Sequence, residues 1–442
     1  MQLHYPEIAL HVPSLLLPRV EIPLETWSVI ACDQYTSQPE YWEQVRRIVG
    51  DDPSTLHLIF PEAYLGETCR EQTIAGINQR MQAYLKSGVL AKQRPGFMLI
   101  EREVGRAAPR KGLVVALDLE QYDYRDGAQK LIRTTEGTDQ SRLPPRIQVR
   151  EQALLETPHI MVLIDDLQQT VIEPLGAKDL ELAYDFELML EGGRLRGWHI
   201  DDGTLIDEIA GHIARLACGE PPLIYAMGDG NHSFATARAV WERLKAQAED
   251  ERQIMNHPAR YALAELVNVH DEGLEFAPIH RVVLGVDAAD LLRAMETHCT
   301  EWGFSRRIFA DRDRWEAACR EAAVGPGHHI PYISGTERGL LSIARPNFQL
   351  EVASLQAFLD TYLDANLHAR LDYIHGEDVL EQLAAEPDGI GFFLPTMDKR
   401  DLFKTIVIDG ATPRKTFSLG EAVEKRYYLE CRRLIREQPY SK

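Results

Sequence analysis

The residues best able to do chemistry lie in one run, PLIYAMGDGNHSFATARAVWERLKAQ. An apolar segment ends in Gly228-Asp229-Gly230, Asn231, His232 and Ser233 follow, and Phe234, Ala237, Trp241, Leu244 and Ala248 then recur on one helical face. The pattern predicts a strand, a tight polar turn and a helix N-terminus. Unpaired backbone N–H groups at such a start, with the positive end of the helix dipole, attract an anion, and Gly230 lets the backbone approach it closely. Asp229 is placed to hold Mg²⁺, and His232 and Ser233 to donate hydrogen bonds to phosphate oxygens. The same letters also have a plain structural reading, since Asp-Gly is a common turn and Asn or Ser a common helix cap. Competing phosphate motifs are missing: GxxxxGK[ST] does not occur, and Gly228-Asp229-Gly230 lacks the third glycine of a dinucleotide fingerprint.

A second run, LIRTTEGTDQSRLPPRIQVREQALLE, places Arg133, Thr134, Thr135, Glu136, Gly137 and Thr138 ahead of Arg142, Arg146 and Arg150. Cations and hydroxyls gathered around one carboxylate suit a site that holds an anion and keeps a base ionised. Glu136 is the base candidate, and Arg133, Thr135 and Arg142 are candidate phosphate contacts. A third run, ATPRKTFSLGEAVEKRYYLE, sets Arg414, Lys415 and Thr416 before an expected C-terminal helix. There Ser418 and Glu421 match a capping box, and Val423, Tyr427, Cys431 and Leu434 fall on one face. The pairs His280-Arg281 and Asp372 with His375 are weaker candidates for substrate contact. The polar and aromatic segment CDQYTSQPEYW either lines a pocket or caps a helix. Neither HExxH nor GxSxG occurs, which leaves zinc-protease and serine-hydrolase readings unsupported.

These runs need a scaffold. Apolar segments at 97–102, 112–120, 159–166, 222–230, 261–270, around 336–339, 391–395 and 404–410 read as strands. Helical periodicity covers Gln72–Ser87, Leu205–Ala217, His232–Glu249, Asp287–Trp302, Arg312–Ala323 and Leu355–Asn366. The expected fold is a mixed α/β (α+β) one, with an N-terminal region 1–255 and a second α/β region 256–442 whose last segment returns to the active site. With 48 Lys+Arg against 68 Asp+Glu, the net charge of −20 argues against nucleic acid and anionic membranes as partners. The six scattered cysteines lack metal-ligand spacing, and MQLHYPEIALHVPSLLLPRV lacks the plan of a signal peptide. A cytoplasmic protein, with homo-oligomerisation open, is the expectation.

Taken together, ACDQYTSQPEYW, RTTEGT with its following arginines, GDGNHSFATA and PRKTF make the sequence resemble the bacterial family catalogued as domain of unknown function 1015. That family in turn resembles the partition-protein-like and sulfiredoxin-like fold of the free-serine kinases. The resemblance implies a catalytic core of that fold, Glu136 as base, and Asp229, Gly230, Asn231 and His232 on a phosphate turn. By weaker analogy it makes Lys415 and Thr416 a phosphate contact. Thr134-Thr135 stands where those kinases carry Pro-His, and Ser233 where they end the turn with arginine. The implied activity is Mg²⁺-dependent phosphorylation of L-serine, with pyrophosphate, ATP or ADP as donor. A non-catalytic sensor of nucleotides or phosphometabolites is the alternative, and a DNA-partition role is disfavoured by charge.

Overall fold

The computed structural model describes residues 1–65, 70–105, 108–125 and 127–436, so Cys69 lies outside the described residues. The fold is a mixed α/β one. Two units are distinguished, Met1–Glu275 with Gly420–Lys442, and Phe276–Leu419. The first boundary falls after Glu275 and not at the expected 255/256, because strand Tyr261–Asn268 is an inner member of the first unit's sheet. It pairs with Arg110–Asp118 on one side and Met161–Ile164 on the other.

Among the described residues, that sheet has ten strands. Its main path runs Glu181–Leu188, Gly193–Ile200, Phe97–Glu103, Arg110–Asp118, Tyr261–Asn268, Met161–Ile164, Tyr225–Asp229 and Ile132–Arg133. Alternation of side chains feeds two cores. Leu113, Val115 and Leu117 face one, with Phe234, Trp241 and Ile209, and Val114 and Ala116 face the other, with Trp27, Trp42 and Met81. A sheet buried on both faces explains why its inner strands read as continuous apolar runs. The second unit has a six-stranded sheet ordered Phe304–Phe309, Glu337–Ile343, His328–Ser334, Gly389–Phe392, His280–Leu284 and Arg370–Ile374, packed with its own helices.

Two expected elements are corrected. KTIVIDG, read as a strand for its β-branched residues, lies in helix Asp401–Ile408, where Leu402, Phe403, Thr405 and Ile406 bury one face. Packing overrides an intrinsic preference worth only a fraction of a kilocalorie per residue. The C-terminal helix is absent. Phe417–Leu419 is a strand, a short 3-10 turn covers Ala422–Glu424, and the capping box is formed by Glu421 and Glu424 instead of Ser418 and Glu421. The chain then runs extended, with Tyr427 bridged to Ile30, Cys431 to Leu16, and Arg432–Arg433 paired with Leu155–Glu156. The physical reason is that Arg426 to Arg432 are buried consecutively. A one-sided helix would have turned half of them to solvent. Arg426 is neutralised there by Glu265 at 2.8 Å and Glu430 at 2.5 Å.

Candidate functional site

Strands Tyr225–Asp229 and Ile132–Arg133 are parallel neighbours, with Tyr225 opposite Ile132 and Ala226 opposite Arg133. Both therefore leave the sheet at the same end, and the register brings Thr135-Glu136 out beside Gly228-Asp229. Thr135 fixes the approach: its buried Oγ1 donates to the Met227 carbonyl at 2.7 Å, across 92 residues of sequence. The base candidate and the phosphate turn thus share one strand end.

The turn is tightly built. Gly230 has φ +77° and precedes helix Asn231–Gln247. A Cβ at this position would meet Cα of Ile160 at 3.1 Å and its Cγ1 at 3.2 Å, so both the backbone and the space require glycine. Asp229 Oδ1 accepts from the Gly230 N–H at 2.8 Å, and its Oδ2 lies 3.2 Å from Nζ of Lys425. Asn231 is buried, and neither its Oδ1 nor Nε2 of His232 meets a partner among the described residues. Burial first, and then Arg142 and Arg146, push the His232 imidazole down to about 4. It is neutral at pH 7, able to donate one hydrogen bond and accept another.

Helix Leu143–Arg150 packs against helix Asn231–Gln247, and Glu62 accepts from both Arg142, at 3.5 Å, and Arg146. Arg150 pairs with Glu156 at 2.6 Å. His159, just before strand Met161–Ile164, completes the cluster. Its Nε2 faces Ser233 Oγ at 3.2 Å and Asp33 Oδ2 at 3.4 Å, while its Nδ1 meets the Tyr428 hydroxyl at 2.8 Å. Burial opposes charge on both partners, yet the Asp33 carboxylate raises His159, and His159 with Gln34 and Lys425 holds Asp33 well below the usual carboxylate range. With His159 protonated, the two form a buried ion pair. Ser233 and Asp33 share one ring nitrogen, so this is not the relay in which a carboxylate holds one nitrogen while the other activates a serine. A cavity of about 140 Å³ opens beside it, with His159, Ser233, Glu62 and Arg146 on its polar wall and Phe60 and Met81 on its apolar one.

Other candidates have partners of their own. The guanidinium of Arg133 is engaged with the carbonyls of Lys130, Pro221 and Pro222, at 3.0, 2.7 and 3.4 Å. It ties strand to loop and has little left for an anion. In the second unit, buried Arg281 donates to Gln356 and to the Arg414 carbonyl and lies 4.6 Å from the Tyr373 ring centre. Arg414 donates to the Tyr373 hydroxyl at 2.7 Å and Thr416 to the Pro413 carbonyl at 2.6 Å. Lys415 has φ +58°. His280 accepts the Leu394 N–H at 3.1 Å, burial pushing it down to about 4, and His375 is exposed. The helix start meant to join Arg414–Thr416 is a strand, so their anion-binding warrant from a helix dipole is gone.

Sequence reasoning missed Asp33, Glu62, His159, Lys425 and Tyr428. Asp33 sits in the CDQYTSQPEYW segment, which carried a polar signal, and His159 was hidden as the first letter of an apolar strand. Lys425 and Tyr428 were assigned to a helix that does not form. Mg²⁺ is accommodated only narrowly. Among the described residues no three His, Cys, Asp or Glu side chains are grouped to hold a metal, and Asp229 already faces Lys425. An ion held mostly by phosphate oxygens and water needs only one such carboxylate.

The profile of the family described as "Protein of unknown function (DUF1015)" matches residues 16–362. The chain belongs to this family. No curated protein matches the sequence significantly. Among solved structures, the chain is similar to a free serine kinase in complex with AMP, at 10% identity and TM-score 0.38 over 74% of this chain and 93% of that one. It is similar to a conserved hypothetical protein from Pyrococcus furiosus at 11% identity and TM-score 0.35, over 72% and 90%. SbnI with C-terminal truncation from Staphylococcus aureus matches at 8% identity and TM-score 0.35, over 70% and 82%. Among the described residues no helix is long and apolar enough to cross a membrane.

Proposed function

We propose that this chain is a small-molecule kinase that transfers a phosphoryl group from inorganic pyrophosphate, or alternatively from a nucleotide, to the hydroxyl of free L-serine. The observation that carries the reading is the common exit of Glu136 and the Asp229–Ser233 turn from adjacent parallel strands, tied by the Thr135–Met227 hydrogen bond. Phosphoryl transfer asks a protein mainly for positioning and charge stabilisation, with a carboxylate to orient the attacking hydroxyl.

In this mechanism the N–H groups that open helix Asn231–Gln247 cradle the donor phosphates, and Lys425, Arg142 and Arg146 stabilise their charge. Neutral His232 donates a hydrogen bond without adding a cation. Glu136 takes the serine hydroxyl proton as the new O–P bond forms, the bridging P–O bond of the donor breaks, and orthophosphate leaves when pyrophosphate is the donor. Asp229 would be the protein contact for Mg²⁺, which would neutralise charge on the donor phosphates. The likeness of the RTTEGT and GDGNHS runs to the motifs of free-serine kinases supports serine as acceptor.

The test is incubation with L-serine, Mg²⁺ and pyrophosphate, ATP or ADP, with detection of O-phosphoserine. Glu136→Gln is expected to lower kcat by about 10²–10⁴-fold, the usual worth of a positioned base, while pyrophosphate affinity stays within a few-fold. Unchanged turnover in that variant removes the base assignment. Pyrophosphate binding with no phosphoserine in any arm makes the protein a phosphometabolite sensor.

A further inference from the structure

The backbone on either side of His159 is pinned. The Pro158 carbonyl accepts from Nε of buried Arg426 at 3.1 Å, and the Ile160 carbonyl accepts from the Glu265 N–H at 2.9 Å. The ring has as little freedom: it is buried, with Nδ1 on the Tyr428 hydroxyl and Nε2 set between Asp33 Oδ2 at 3.4 Å and Ser233 Oγ at 3.2 Å. Tyr428 is itself fixed, its hydroxyl accepting from the Cys32 N–H at 3.1 Å and its carbonyl from Ser28 Oγ at 2.6 Å. Asp33 Oδ1 accepts from the Gln34 side-chain amide at 3.0 Å.

These partners decide where the ring proton sits. A hydroxyl donates or accepts, so Tyr428 and Ser233 suit either tautomer, whereas an ionised carboxylate only accepts. A bare Nε2 would set its lone pair against the Asp33 oxygen, away from bulk water, where the repulsion is poorly screened. Nε2 therefore carries a proton, in a neutral or a charged ring alike. Its N–H also faces Ser233 Oγ, which makes the serine oxygen an acceptor and leaves the serine hydrogen for another group. Ser233 is half-buried, the third residue of helix Asn231–Gln247, and lines the same cavity as His159. Its hydroxyl thus stands beside the N–H groups that open the helix.

We propose that His159 is a positioning residue of the donor site: oriented by Asp33 and Tyr428, its Nε2–H holds Ser233 Oγ as an acceptor and turns the serine hydrogen toward a donor phosphate oxygen. The role rests on the reading of the Asp229–Ser233 turn as a phosphate site. In the opposite tautomer the serine would give its hydrogen to Nε2 and show an anion only lone pairs.

The test uses the full chain with isotope-labelled histidine. The ring nitrogens of His159, assigned with His159→Gln, are read by NMR, and Mg²⁺-pyrophosphate binding is measured by calorimetry. A protonated Nε2 is expected in the wild type, and Ser233→Ala should lower the affinity on the order of tenfold. Asp33→Asn should also weaken binding, although losing a carboxylate would by charge alone tighten an anion, because the new amide donates to Nε2 and drives its proton to Nδ1. Since Asp33 acts through Ser233, the double variant should bind no worse than Ser233→Ala. A bare Nε2 in the wild type, wild-type affinity in Ser233→Ala, or losses that multiply in the double variant overturn the role of His159 and leave the donor site standing. Should Asp33→Asn fold poorly, the wild-type spectrum and Ser233→Ala still decide it. A protonated Nε2 in a wild type that does not bind pyrophosphate overturns the donor site itself, and the role of His159 with it.

Discussion

Replacing Thr135 by Val isolates the contact on which the site's assembly depends. Thr135 is 3% exposed, and its hydroxyl supplies a 2.7 Å hydrogen bond to the Met227 carbonyl just where the strand gives way to the Gly228-Asp229-Gly230 turn. Valine keeps the branched shape and removes the donor, leaving the carbonyl short of a bond it cannot replace with water. A buried acceptor stranded in this way costs about 1–3 kcal/mol. For a unit of this size each kilocalorie corresponds to roughly 2–4 °C, so Tm should fall by roughly 2–12 °C. Glu136 is the next residue along, so the loss should also reach turnover: kcat for phosphoserine formation drops while the pyrophosphate KM changes less. Thr135→Ser retains the hydroxyl and should recover most of both losses. The assays are differential scanning calorimetry and steady-state phosphoserine production. If Thr135→Val matches the wild type in Tm and kcat, the hydrogen bond is not what holds Glu136 to the turn. If Thr135→Ser is as impaired as Thr135→Val, the methyl group and not the hydroxyl is responsible.

Gly230→Ala should destabilise by about 1–3 kcal/mol, because φ +77° is strained for alanine and its Cβ would press on Ile160, and pyrophosphate binding measured by calorimetry should weaken with it. Wild-type affinity in that variant would show that the turn does not need its present shape. The Asp33–His159 pair predicts a pH window. His159 is raised above its usual 6.5, so its contribution is whole below 6.5 and is lost as pH rises through the higher folded value; Asp33 is lowered from 3.8, so its contribution is whole above 3.8 and is lost as pH falls. The stability difference between wild type and His159→Gln, from urea titrations, should therefore be largest between those values and shrink on either side, and a flat difference would refute the ion pair. Lys425→Met should raise the pyrophosphate KM several-fold by removing the cation beside Asp229, whereas an unchanged KM would separate Lys425 from donor binding.

Reading along the chain succeeded where a segment's own pattern carries the information. The helix following Gly230 and the strand before it are both present, because a continuous apolar run of strand length suits a strand covered on both faces and a 3.6-residue period suits a helix with one buried face. It failed where one run of letters fits more than one period. KTIVIDG and EKRYYLE hold apolar and charged letters in orders that suit either period, and the neighbouring packing chose helix for one and extended chain for the other. The charged members of EKRYYLE misled for the same reason: Arg426 reads as a solvent residue until Glu265 and Glu430 are beside it.

By itself, the order of residues determined that an acidic, mixed α/β protein would carry a tight polar turn and helix start at Asp229–Ser233 and a carboxylate among cations at Glu136, since turn geometry, helix starts and local charge are properties of short segments. Only the tertiary structure decided what meets that turn. Parallel pairing brings Thr135 to Met227, Arg133 is drawn off to backbone carbonyls, and Lys425, Tyr428, Asp33 and His159 arrive from three distant parts of the chain. Such meetings are fixed by sheet order and by the neutralisation of buried charge, which depend on residues far apart in sequence and leave no mark in the spacing of either segment alone.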